Sequence, residues 1–140
     1  MASEPAFADT SFFFALAAKR DVAHEAAAST FARLLRNQRR IVTTEYVVDE
    51  ALTLTKARTN ATVSLELLDR IERSATIVIE SVNSNRFAAA KLFFRKHSDH
   101  GYSFTDCTSF VVMRELKITE ALTTDGHFTE EGFRPLLPVV

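Results

Sequence analysis

Glycine and proline are scarce in this chain, with three of each among 140 residues. That scarcity argues against an all-β fold built on tight turns and leaves no composition for a long flexible linker. Tryptophan is absent, and only Tyr46 and Tyr102 accompany the 12 Phe. No base-stacking platform is therefore evident, and the Phe residues read mostly as core. One cysteine cannot form an internal disulfide; Cys107 lies in an apolar helical pattern, reads as core filling and points to a reducing cytoplasm. Neither charge prevails, with 17 Lys and Arg against 18 Asp and Glu. A global positive field that gathers nucleic acid is excluded, so any such contact must be local. No apolar run approaches the roughly 18 residues a membrane helix needs. The run Phe12 to Ala18 has the look of a signal-peptide core, but Glu4 and Asp9 precede it where a basic segment is required. A soluble, non-secreted protein is expected.

What is present suits one domain over residues 1–140, with 46% hydrophobic content and no repeat or low-complexity segment. Short apolar runs at Pro5 to Ala8, Arg40 to Thr43, Thr76 to Glu80, Glu120 to Thr123 and Leu136 to Val139 read as strands. Helical patterns occupy Ser11 to Ala18, Val22 to Gln38, Thr44 to Ala57, Ala61 to Ser74, Asn85 to Lys96 and Asp106 to Leu116, with Asn60 and Thr105 the clearest caps. Strands alternating with helices imply right-handed crossovers and a mainly parallel sheet covered on both faces, a three-layer α/β/α sandwich. Such sheets bind ligands at the carboxyl ends of their strands, where strand order reverses.

Four acids stand out against that frame. Asp9 follows the first strand and should reach the carboxyl edge, although Asp is also a favoured helix cap. Glu50 has Tyr46, Val47, Leu54 and Ala57 at helical spacing and so is expected in the buried stripe, whereas Glu45 and Asp49 share a solvated face with Thr53 and Lys56. Asp106 starts a helix whose stripe continues through Ser109, Phe110 and Met113. The helix dipole offers it about 0.3 to 1 kcal/mol, too little to bury a charge. Asp125 follows the strand ending at Thr123, although Asp-Gly also suits a plain turn. Two acids at strand ends and two on inward helix faces converge on one edge. Four carboxylates there would repel unless cations neutralised them, and Mg²⁺ or Mn²⁺ fits a site of oxygen ligands. Such ions activate water and neutralise a scissile phosphate, so phosphodiester hydrolysis is the expected reaction.

The segments FADTSFFFALAAKRDVAHEAA, TTEYVVDEALTL and YSFTDCTSFVVMRELKITEALTTDGHF resemble the PIN-domain nucleases in order and spacing, over nearly the whole chain. The resemblance implies a parallel sheet between helices, a metal-bound acidic cluster and cleavage of RNA. It places the family's acids at Asp9, Glu50, Asp106 and Asp125, with Ser11 or Thr10 as a supporting hydroxyl. Many relatives of this kind are VapC-type toxins, which implies a protein antitoxin as partner and a homodimer as the assembly.

Other features argue for less. His24, His97, His100 and His127 are scattered, and the spacing of His97 to His100 lacks the further ligands of a zinc site. His127, close behind Asp125, could approach a phosphate, but on a short turn it reads as a surface residue. Arg33, Arg36 and Arg40, and the group Arg95, Lys96 and His97, read as solvated helix ends. No phosphate loop or serine-hydrolase element occurs. A receiver domain would need an acidic pair after the first strand, where Asp9 stands alone. A PIN-fold RNA-binding or protein-interaction module with little turnover is the alternative, and the intact acids argue against it.

Overall fold

The computed structural model describes residues 4–140. Five strands, β1 (Ala6–Ala8), β2 (Ile41–Thr44), β3 (Ile77–Glu80), β4 (Glu120–Leu122) and β5 (Arg134–Pro135), form one all-parallel sheet in the order β3-β2-β1-β4-β5. Seven helices among the described residues flank it: α1 (Thr10–Ala17), α2 (His24–Arg36), α3 (Glu45–Arg58), α4 (Ala61–Arg73), α5 (Ser84–Lys96), α6 (Phe104–Glu115) and α7 (Gly126–Glu130). The chain leaves the central strand β1 toward β2 and β3, then returns to β1's other side with β4 and β5. Right-handed crossovers therefore lay α1 to α4 on one face and α5 to α7 on the other, the expected sandwich. No helix among the described residues is long and apolar enough to cross a membrane.

The central strand carries no polar residue and is wholly buried, as a strand covered on both faces must be. Phe7, Phe12, Phe13, Phe110 and Phe128 fill the core around it. Phe110 meets Phe128 edge to face with ring centroids 5.0 Å apart and Tyr102 at 5.1 Å. Each such ring contributes about 1.5 to 3 kcal/mol by leaving water. Cys107 is fully buried and free, and burial pushes its thiol up to about 11, so it is inert filling.

Three expectations shift. The last strand is Arg134–Pro135, not Leu136 to Val139, because Phe133, packed on Phe110, fixes where the chain rejoins the sheet. The cap of α6 is Ser103, not Thr105: the Ser103 hydroxyl accepts from the Asp106 N–H, while the Asp106 carboxylate accepts from the Ser103 N–H. The buried stripe of α3 is Val47, Ala51 and Thr55, which leaves Glu50 half-buried on its flank. Asn60 caps α4 as expected.

Candidate active site

The strand order reverses between β1 and β4, and the structure opens a cleft of about 280 Å³ there. Asp9, Glu50, Asp106 and Asp125 all line it, together with Thr10, Ser11, Leu54, Gly101, Ser103 and His127. The four sequence-selected acids are thus brought together, each by a different local cause.

Asp9 ends β1. It occupies the N-cap position of α1, yet its side chain makes no capping hydrogen bond. The carboxylate Oδ2 instead accepts 3.0 Å bonds from the Ser11 and Thr123 hydroxyls. Ser11 in turn accepts from the Thr124 N–H, and Thr123 from the Asp125 N–H, so the ends of β1 and β4 are stitched through polar side chains. Thr43, at the matching level of β2, donates to the Ala8 carbonyl. Asp9 is 3% exposed. Burial first, and then the charge of Asp106, push its carboxyl from 3.8 up to about 7, against the pull of its hydrogen bonds.

Asp106 is buried in the first turn of α6, held by the capping box. Burial again raises its pKa, with Asp125 adding to the rise and the Ser103 N–H and His127 opposing it. Asp125 does cap a helix, accepting from the His127 N–H. It is nevertheless turned to the cleft, with Oδ1 3.4 Å from His127 Nδ1. Glu50 closes the opposite wall from α3, which packs against α6.

His127 is the residue that sequence reasoning set aside. It is no surface bystander: Nδ1 lies 3.0 Å from Asp106 Oδ2, and the ring is 30% exposed. Burial disfavours its charged form, but the Asp106 hydrogen bond and the charges of Asp125 and Asp106 outweigh this and raise its pKa. Thr123, which orients Asp9, was also missed as a site residue. Its signal was a Thr-Thr pair directly after β4, like the Thr43-Thr44 pair that ends β2. Arg33, Arg36, Arg40, Arg95 and Lys96 are exposed and none lines this cleft, as expected of solvated helix ends.

The donor chemistry suits a hard divalent cation. Asp106, Asp125 and His127 each offer one ligand atom within 4.8 Å of the others. Thr10 is a further lining residue, whose buried hydroxyl has no hydrogen-bond partner.

The PIN-domain family profile matches residues 6–133. The chain is a PIN domain. It is 32% identical over 133 residues to the 23S rRNA-specific endonuclease VapC20 of Mycobacterium tuberculosis, in strains CDC 1551 / Oshkosh and H37Rv alike, covering 94% of this chain and 98% of the relative. The crystal structure of the Mycobacterium tuberculosis VapC20, described as a sarcin-ricin loop cleaving toxin, superposes on this PIN-domain protein with a TM-score of 0.83 at 31% identity, over 94% of this chain and 98% of that chain.

Proposed function

We propose that this PIN domain is a metal-dependent endoribonuclease of the VapC toxin kind, with Asp9, Glu50, Asp106 and Asp125 as its catalytic and metal-binding acids. The observation that carries the reading is the pair of buried carboxylates, Asp9 and Asp106, on one cleft with two further acids and no Lys or Arg. Such a set is costly when empty of cations and suits Mg²⁺ or Mn²⁺. Bound there, the ion supplies Lewis-acid stabilisation of phosphate charge and a more acidic water. The protein's own part is positioning. Ser11 and Thr123 aim Asp9, Ser103 aims Asp106, and the α7 N-terminus aims Asp125. Water adds to phosphorus and one P–O bond to ribose breaks, leaving a phosphomonoester end and a hydroxyl end.

The substrate class is structured RNA, and the large-subunit rRNA loop cut by the VapC20 relative is the first candidate. An antitoxin protein is the expected partner, and a homodimer the expected assembly. Apolar Leu92, Phe94 and Phe87 exposed on α5 support a paired surface. A cytoplasmic setting fits both partners.

The test is cleavage of ribosomal RNA and of a sarcin-ricin loop oligonucleotide with Mg²⁺, Mn²⁺ or EDTA, beside Asp9→Asn and Asp106→Asn. Cuts at one position that disappear with EDTA and in both folded variants are the expected result. Cleavage that survives EDTA or both substitutions would overturn the assignment.

A further inference from the structure

We infer that His127 is itself a ligand of the cation, making the site one of mixed oxygen and nitrogen donors; this rests on the reading of the acids as metal-binding. Nδ1 stands 3.0 Å from Asp106 Oδ2 and 3.4 Å from Asp125 Oδ1. Ligands on adjacent corners of an octahedron with bonds of about 2.1 Å are separated by about 3 Å, so the imidazole nitrogen is spaced from each carboxylate oxygen as a neighbouring ligand would be, and the three residues' ligand atoms all lie within 4.8 Å of one another.

A purely structural hydrogen bond explains the arrangement less well. Asp106 Oδ2 already accepts from the Ser103 N–H, and Asp125 Oδ1 already accepts from the backbone N–H of His127. Each oxygen thus has a backbone donor of its own, yet the ring nitrogen converges on both. The ring is also held in place. Tyr102 packs against it edge to face at 5.3 Å, and the Tyr102 hydroxyl is anchored 2.6 Å from Glu131. Gly101 lies against its far side, where a Cβ would stand 3.3 Å from Nε2. Ligating imidazoles are fixed by such outer contacts, which set ring orientation. The unpartnered, buried Thr10 hydroxyl on the same cleft is an independent sign of an unfilled polar site.

A nitrogen donor changes which ion is preferred. Mg²⁺ takes oxygen ligands and gives up water reluctantly, whereas transition ions accept imidazole. The site therefore favours Mn²⁺ over Mg²⁺.

The experiment adds Mn²⁺ alone to the purified full chain and records pulsed EPR for nitrogen coupling, with ¹⁴N histidine and again with ¹⁵N-labelled histidine. The expected result is a directly coordinated imidazole whose spectrum changes with the label and is lost in His127→Gln. That variant should bind Mn²⁺ at least about tenfold more weakly, with Mg²⁺ affinity within about threefold of wild type. Because His127 is partly exposed, the variant should fold, which circular dichroism checks. Mn²⁺ bound with no nitrogen coupling, or coupling that persists in His127→Gln, overturns the role of His127 while leaving the acids as ligands. Absence of any Mn²⁺ binding by wild type overturns the metal reading of the acids and this inference with it.

Discussion

Asp9→Asn should remove activity and yet make the metal-free protein more stable above neutral pH. The carboxyl of Asp9 rises from 3.8 to about 7 on folding, chiefly because it is buried and then because Asp106 lies near. At about 1.36 kcal/mol per pH unit, the ionised form then costs the folded state about 4 kcal/mol. The sign follows from proton counts. Between about pH 4 and 7 the native carboxyl holds a proton that the unfolded chain has released, so stability falls as pH rises through that window and levels off above it. Below the unfolded value the group contributes nothing. Asparagine has no charge to desolvate, but its neutral carbonyl oxygen accepts the Ser11 and Thr123 hydroxyls more weakly than Oδ2 of the carboxylate does, a loss of about 1 kcal/mol. The net expectation is a gain of about 2 to 3 kcal/mol at pH 8 that vanishes, or turns slightly negative, near pH 4. Urea unfolding in EDTA at both pH values measures it directly. Saturating Mn²⁺ should stabilise wild type by about 2.7 kcal/mol at a hundredfold excess over Kd, and the variant much less. An Asp9→Asn protein no more stable than wild type at pH 8, or with a difference independent of pH, would refute the account of Asp9 as an uncompensated buried acid.

Three further outcomes follow from the same contacts. Ser11→Ala removes a donor to Asp9 and strands the Thr124 N–H, so it should cost about 1 to 3 kcal/mol in urea unfolding. It should also raise the Asp9 pKa further, moving half-maximal Mn²⁺ binding to higher pH in a titration. Glu50→Gln, on a half-buried flank position, should change stability by no more than about 0.5 kcal/mol. It should lower the RNA cleavage rate by about two orders of magnitude, the size of a few kcal/mol of lost charge stabilisation. Phe110→Ala, at the centre of the Tyr102, Phe128 and Phe133 cluster, should lose about 3 to 5 kcal/mol by calorimetry or denaturant titration.

Much of this was legible in the order of residue types. An apolar strand followed at once by Asp9, and a second ending at Thr123 ahead of Asp125, place two acids at a parallel sheet's carboxyl edge, because alternating strands and helices admit few topologies. The period of α3 put Glu50 one column too deep, since Tyr46, Leu54 and Ala57 form a flank that is apolar without being buried, while Val47, Ala51 and Thr55 face the core. Periodicity could not find α7, whose five residues span little more than one turn. His127 was misjudged for the same reason. Read as a loop, Asp-Gly-His leaves its imidazole in solvent; read as the first turn of a helix capped by Asp125, it points the ring back at Asp106. Whether an aspartate caps or is turned elsewhere was also invisible locally. At Asp9 that was settled by Thr123, 114 residues away.

That separation has a consequence for how the molecule comes to life. The cleft does not exist until β4 pairs with β1, because Thr123 and Ser11 must meet before Asp9 is aimed and before Asp125 and His127 arrive. Contacts of such long sequence separation form late and slowly, and synthesis runs at about 5 to 20 residues per second. A growing chain therefore carries Asp9 for several seconds before Thr123, Asp125 and His127 are made. A fragment ending before β4 lacks both the hydroxyl that orients Asp9 and two of the residues that line the cleft.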